Sequence, residues 1–89
     1  MPREHLVVHG IVQGVGFRYF ALRQAQALGV CGWARNRHDG TVEIEAEAPA
    51  DTLERFADLV GEGPRFSRVT KVDRTPIAET GGKSGFQIS

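Results

Sequence analysis

Cysteine is almost absent: Cys31 is the only one among 89 residues, so no internal disulfide forms and the fold rests on packing and hydrogen bonds. Neither sign of charge predominates, because 11 basic residues balance 11 acidic ones. That balance argues against general electrostatic attraction to DNA, RNA or anionic lipid. No apolar run is long enough to span a membrane, and Met1 to Val8 is too short and too polar for a secretion signal. These absences predict a cytoplasmic protein with no nucleic-acid or membrane partner. No linker, repeat or low-complexity tract interrupts the sequence, which predicts one domain spanning residues 1–89. With 40% hydrophobic and 25% charged residues the composition is globular. A chain of this length buries roughly 60–65% of its unfolded surface in one modest core.

The most informative segment that is present runs Gly10-Ile11-Val12-Gln13-Gly14-Val15-Gly16-Phe17-Arg18, where a strand pattern passes directly into a helix pattern. Gly14 and Gly16 let the backbone turn tightly with its N–H groups exposed. The helix N-terminus behind them favours negative charge. Arg18 adds a planar fork that matches two oxygens of a phosphate or carboxylate. A cation is electrostatically misplaced at the start of a helix by roughly a few tenths of a kcal/mol or more, which favours a ligand-binding role. The segment reads as a cradle for a small dianion.

The remaining chain divides into short elements. Leu6-Val7-Val8 and Ile11-Val12 predict a first strand, and Arg18 to Leu28 a helix with Ala21, Ala25 and Leu28 on one face and Gly29 as its C-terminal residue. Gly32 to Arg37 and Thr41 to Glu47 predict a hairpin turning at Asp39-Gly40. Alternation in its second arm places Val42, Ile44 and Ala46 inward and Thr41, Glu43, Glu45 and Glu47 outward. Asp51-Thr52-Leu53-Glu54 has the spacing of a capping box with Asp51 as the cap, ahead of a helical stripe at Leu53, Phe56, Ala57 and Val60. Gly61, Gly63 and Pro64 are expected to stop that helix. Phe66 to Arg74 predicts a fourth strand, and Phe86-Gln87-Ile88 a short last one with both apolar residues on one face. The order is β-α-β-β-α-β with a short fifth strand at the C-terminus. This predicts an α+β, ferredoxin-like sandwich, an antiparallel sheet with two helices on one face. The fold alone hosts enzymes, RNA binders and metal carriers.

Two segments carry a family resemblance. Val12-Gln13-Gly14-Val15-Gly16-Phe17-Arg18 resembles the first signature of the acylphosphatases, and Gly29-Val30-Cys31-Gly32-Trp33-Ala34-Arg35-Asn36 with Asp39-Gly40 and Val42-Glu43 resembles the second. Both stand in the family's order and spacing, and Gly63-Pro64 and the terminal Phe86-Gln87-Ile88 extend the likeness over nearly the whole chain. Where many members carry a glycine after the third strand this chain has Glu47-Ala48-Pro49, and Ser67 replaces a small apolar residue. The resemblance implies hydrolysis of acyl phosphates to a carboxylate and inorganic phosphate, with phosphate as product and competitive inhibitor. It implies that the loop Gln13, Gly14, Val15, Gly16, Phe17 and Arg18 binds the phosphoryl group, with Arg18 as its anchor. Asn36 would orient the attacking water.

The chemistry of these residues is sufficient for that reaction. Phosphoryl transfer needs positioning and charge stabilisation more than covalent help. The leaving carboxylate has a conjugate acid of pKa about 4, so it departs without a general acid. An amide accepts from water and donates to a phosphoryl oxygen at once, which suits Asn36. It cannot take the water's proton, and the resemblance implies that the substrate's own phosphate does. Neither a metal nor a cofactor is expected.

Other residues have plainer expectations. Cys31 reads as a small core or edge residue, and Trp33 and Phe17 as packing residues. His5, His9 and His38 lack metal-ligand spacing, and His9, close to the cradle, is not assigned a catalytic role. Gln13 to Phe20 superficially resembles the RNP1 element of RNA-recognition domains, but it spans a loop and a helix start rather than a central strand. Gly82-Lys83-Ser84 echoes a nucleotide-binding loop without its leading glycine or following helix, and is expected to be a flexible connection. The alternative reading is a non-enzymatic ferredoxin-like binding module for RNA or a protein partner. The joint presence of Arg18 and Asn36 favours the enzyme, expected as a free-standing monomer.

Overall fold

Leu6 and Val8, two apart on the first strand, are buried together with Val42, Ile44 and Ala46 of the third. One sheet face is thereby committed to the core. The computed structural model describes residues 1–81 and 85–89, so the expected connection at Gly82-Lys83-Ser84 lies outside the described residues. The elements are β1 (Arg3–Ile11), α1 (Phe17–Leu28), β2 (Cys31–Asn36), β3 (Val42–Glu47), α2 (Ala50–Glu62), β4 (Arg68–Ile77) and β5 (Phe86–Ile88). They form a sheet in the order β4-β1-β3-β2-β5 with both helices packed on one face. The four longer strands are antiparallel neighbours, as the ferredoxin-like reading requires. β5 instead lies parallel to β2, so the sheet is mixed.

The direction of each strand decides where chemistry can be assembled. β1 and β2 both run antiparallel to β3, and β5 runs with β2. The carboxyl ends of β1, β2 and β5 therefore share one edge of the molecule. Phe17, Ala21 and Ala25 of α1 and Leu53, Phe56, Ala57 and Val60 of α2 are buried against the sheet. Phe56 meets Phe86 of β5 edge-on with ring centroids 6.0 Å apart.

Several local expectations shift. α1 begins at Phe17 rather than Arg18, and closes at Gly29, whose φ of 75° is the expected left-handed cap. In α2 the capping box does not form. Pro49, with φ fixed near −53°, is the N-cap, and its carbonyl accepts the first helical hydrogen bond from Leu53 N at 2.9 Å. Asp51 lies inside the first turn, where its charge still suits the helix dipole, and its carboxylate accepts from Thr52 N. α2 continues through Gly61, and Gly63 is its C-cap. β4 starts at Arg68, later than predicted, because Ser67 turns back to hydrogen-bond the Pro64 carbonyl through both its N–H and its hydroxyl.

Glu47, predicted to face outward, is 2% exposed. It does project from the open face of the sheet, but Thr80 folds over it and donates both its N–H and hydroxyl to Glu47 Oε1. Arg3 donates to the same oxygen from below at 3.1 Å. The Thr80 N–H is the main influence holding the Glu47 carboxyl below the usual carboxylate range.

Candidate active site

The cradle grows out of the end of β1. Val12 is buried in the core and fixes the chain's exit, while Gly14 and Gly16 adopt φ of 76° and 77°. A side chain at either glycine would meet nothing within 4 Å, so the left-handed backbone, not space, selects glycine there. Gly16 is the N-cap of α1 and supplies no side chain to the helix end. No acidic residue occupies the first turn, in contrast to Asp51 in α2. Among the described residues, no main-chain oxygen accepts from the N–H groups of Gly14, Val15 or Gly16; Phe20 N, bonded to Gly16 O, is the first satisfied donor of the helix. The turn thus presents free N–H donors and an uncompensated helix dipole, a combination suited to an anion.

Phe17 is buried, with its ring 6.1 Å from that of Phe20, so its side chain anchors the loop and only its backbone is available to a ligand. Arg18 follows at the second helical position and lines a cavity of about 100 Å³ beside Gly14 and Gly16. One guanidinium nitrogen donates to the Ser89 main-chain oxygen, which follows β5. The fork has five N–H donors, and this contact uses one of them.

Asn36 is the last residue of β2, paired with Val42 on the helix side of the sheet, and its side chain lines the same cavity as Arg18. No hydrogen bond engages its amide among the described residues, and it is exposed. The structure therefore brings Asn36 together with Arg18 and the glycine turn, from which it is 18 or more residues away in sequence. Gln13 joins the two halves in another way: its side-chain Nε2 donates to the main-chain oxygens of Arg37 at 2.8 Å and Thr41 at 2.9 Å. The cradle is thereby tied to the hairpin that carries Asn36. The sequence reading placed Gln13 in the phosphate loop but not in this clamp, because hydrogen bonds to main-chain oxygens leave no mark in a sequence pattern.

Ile88 was legible only as a strand residue, yet it lines the cavity too, because β5 runs parallel to β2 and ends at the same edge. Tyr19, one residue beyond Arg18, forms another part of the wall. A broader open depression of about 600 Å³ lies on the other side of Asn36, next to Arg37 and Asp39. Its charges are already matched, Arg35 with Glu43 at 2.7 Å and Arg37 with Asp39 at 4.0 Å.

The histidines lie apart from the cradle. His5 Nε2 is 2.6 Å from Glu43 and His9 Nε2 is 2.9 Å from Asp73, both across the open sheet face. Trp33 is also on that face, half-buried, with the Arg35 guanidinium 5.1 Å from its ring centroid rather than in the core. Cys31 is half-buried at the start of β2.

A family model described as Acylphosphatase matches residues 4–88. The chain is 51% identical over 90 residues to an acylphosphatase of Bifidobacterium longum, covering 98% of this chain and 93% of that one. The crystal structure of acylphosphatase from Bacillus subtilis is similar with a TM-score of 0.95 at 42% identity, over 100% of this chain and 99% of the other. The crystal structure of T. kodakarensis HypF is similar at a TM-score of 0.84 and 33% identity over all of this chain, but over 12% of that one, so there the likeness is to one part of a longer protein. The glycine turn, the arginine and the amide meet in one cavity, and the two acylphosphatases match nearly from end to end: the chain belongs to the acylphosphatase family of hydrolases.

Proposed function

We propose that the turn Gln13 to Arg18 holds the phosphoryl group of an acyl phosphate, that Arg18 anchors it, and that Asn36 aims the attacking water. Membership of the family makes the substrate an acyl phosphate and the products a carboxylate and inorganic phosphate. The observation that carries the residue assignment is the convergence of unsatisfied loop N–H groups, Arg18 and Asn36 on one cavity.

In this reading the N–H groups and the guanidinium neutralise the phosphoryl oxygens and draw charge as the P–O bond to the acyl group breaks. Asn36 accepts a hydrogen bond from water through its carbonyl oxygen and donates to a phosphoryl oxygen through its amide. The water oxygen bonds to phosphorus, its proton passes to a phosphoryl oxygen, and the carboxylate leaves with the electron pair of the broken bond. The leaving group needs no proton and no Lewis acid, so the mechanism is metal-free. A held and aimed water lowers the barrier by about several kcal/mol. The same reading takes residues 1–89 as one domain, active as a cytoplasmic monomer, with phosphate as a competitive inhibitor.

The test is release of phosphate from benzoyl phosphate by wild type, Arg18→Gln and Asn36→Ala. Arg18→Gln is expected to lose both turnover and inhibition by phosphate. Asn36→Ala is expected to lower kcat by about 100-fold while inhibition by phosphate is largely kept, because water rather than substrate is lost. An unchanged KM in Arg18→Gln contradicts the anchoring role. A parallel loss of turnover and phosphate inhibition in Asn36→Ala would reassign that residue to binding.

A further inference from the structure

The cradle is too small for a whole acyl phosphate. Its volume is about 100 Å³, whereas sites that enclose a small organic ligand are commonly about 300–1,000 Å³. The space suits a phosphoryl group, so the acyl part must emerge over the rim. Two residues of that rim are large, apolar and open to solvent: Tyr19 is 58% exposed and Ile88 38% exposed. They come from different elements. Tyr19 follows Arg18 on the first turn of α1, and Ile88 ends β5 one residue before the oxygen that accepts from Arg18. Both are thus adjacent in sequence to the two partners of one hydrogen bond across the cradle.

An exposed aromatic ring at a helix start serves no packing purpose of its own here. The ring is nonetheless oriented, because the Arg23 guanidinium, one turn along the same helix, lies 5.9 Å from its centroid. Phe86, two residues before Ile88 and on the same side of β5, is 7% exposed and packs against α2, whereas Ile88 overhangs the edge. Resting on the phosphate-cradle reading above, we propose that Tyr19 and Ile88 form the acyl subsite, selecting substrates whose acyl group is apolar and flat, such as an aryl group, over small polar ones. The Tyr19 ring offers its face and edge to a planar group, and Ile88 excludes water from the other side. The selectivity is modest because the rim is open. A planar aromatic contact of this kind is worth about 2- to 10-fold in a rate or affinity ratio.

The experiment compares kcat/KM for benzoyl phosphate and for acetyl phosphate in wild type, Tyr19→Ala, Tyr19→Phe and Ile88→Ala. Tyr19 is exposed on a helix and alanine is the best helix former, so Tyr19→Ala remains folded. The benzoyl-to-acetyl ratio is expected to fall about 3- to 10-fold in Tyr19→Ala and about 2- to 5-fold in Ile88→Ala, and to be kept in Tyr19→Phe. An unchanged ratio in Tyr19→Ala overturns the subsite, as does a parallel fall for both substrates. A Tyr19→Phe variant that behaves like Tyr19→Ala overturns it as well, since the hydroxyl and not the ring would then matter. Failure of the cradle reading looks different: Arg18→Gln, run in the same series, would keep wild-type turnover of both substrates.

Discussion

Replacing Gln13 with alanine cuts the two hydrogen bonds that tie the cradle to the hairpin carrying Asn36, those to Arg37 O at 2.8 Å and Thr41 O at 2.9 Å. Each such bond contributes about 0.5–1.5 kcal/mol net, or about 1–3 kcal/mol for the pair. Neither carbonyl is orphaned by the change, because Gly40 N still donates to Arg37 O at 3.2 Å and Arg37 N to Thr41 O at 2.9 Å. The stability loss therefore belongs at the lower end, about 1–2 kcal/mol, against a total of about 5–15 kcal/mol for a domain of ordinary stability. The variant stays folded at room temperature. On the proposed roles of Arg18 and Asn36, catalysis suffers more than stability, because the clamp sets the distance between a phosphorus held by one segment and a water aimed by the other. A misplacement of about 1 Å can cost about 100-fold, so a partly relaxed hairpin predicts a fall in kcat of about 10- to 100-fold. In the proposed arrangement most of the phosphate's contacts come from the loop N–H groups and Arg18, so its inhibition constant is expected to change less than about threefold. The assay is steady-state hydrolysis of benzoyl phosphate with phosphate as inhibitor, together with urea unfolding of the same preparation. A variant with lowered stability and wild-type kcat refutes the clamp as a catalytic device.

Three further outcomes are expected. Glu43, hydrogen-bonded first by His5 and then by Arg35, has its carboxyl held below the ordinary range; the stability it adds is present above about pH 4.3 and is lost as pH falls through the lowered value. Glu43→Gln should thus be less stable than wild type at pH 7 by about 1–3 kcal/mol in urea unfolding, with the gap closing below about pH 4; a gap that widens in acid refutes this sign. Phe17→Ala, which empties a buried site beneath the loop, should cost about 3–5 kcal/mol, with lost activity tracking the unfolded fraction in parallel circular dichroism and rate measurements. Treatment with a chelator should leave phosphate release unchanged, and inhibition that added metal reverses would overturn the metal-free mechanism.

Much of this architecture is legible in the sequence because it depends on local periodicity. The alternation of Val42, Ile44 and Ala46 with glutamates, and the helical stripe Leu53, Phe56, Ala57 and Val60, each commit one face to burial. The pairing of Asn36 with the Arg18 loop, read from two separated motifs, corresponds to a shared cavity because β1 and β2 run the same way. What was not legible depends on contacts between distant segments. Nothing in Phe86-Gln87-Ile88 specifies pairing parallel to β2, so neither Ile88 at the cavity nor Ser89 beside Arg18 could be placed. The burial of Glu47 requires Thr80 from across 33 residues. Asp51 shows a local pattern overruled by a neighbour, since Pro49 carries a φ already suited to begin the helix.

The sheet separates stability from chemistry by face. Its open side carries Arg3 between Glu45 and Glu47, His5 beside Glu43 and Arg35, and His9 with Lys71 around Asp73. These pairs satisfy groups that a half-covered sheet must leave near water, and through Glu43, Glu47 and Asp73, whose carboxyls are held below the usual range, they couple proton binding to folding. The cradle is at the opposite face's edge and, among the described residues, is lined by glycine, apolar and aromatic residues, one arginine and one amide, with no carboxylate or imidazole. The groups that can face an anion there are main-chain N–H donors, one guanidinium and one amide, unlike the carboxylates and imidazoles of the open face. A substrate whose leaving group is already a weak base can use such a site, because the catalyst has only to hold charge and aim water. On the proposed mechanism, acidification is expected to act on this protein by loosening the strands that carry the site, with the protonation steps of the reaction left to the phosphoryl group itself.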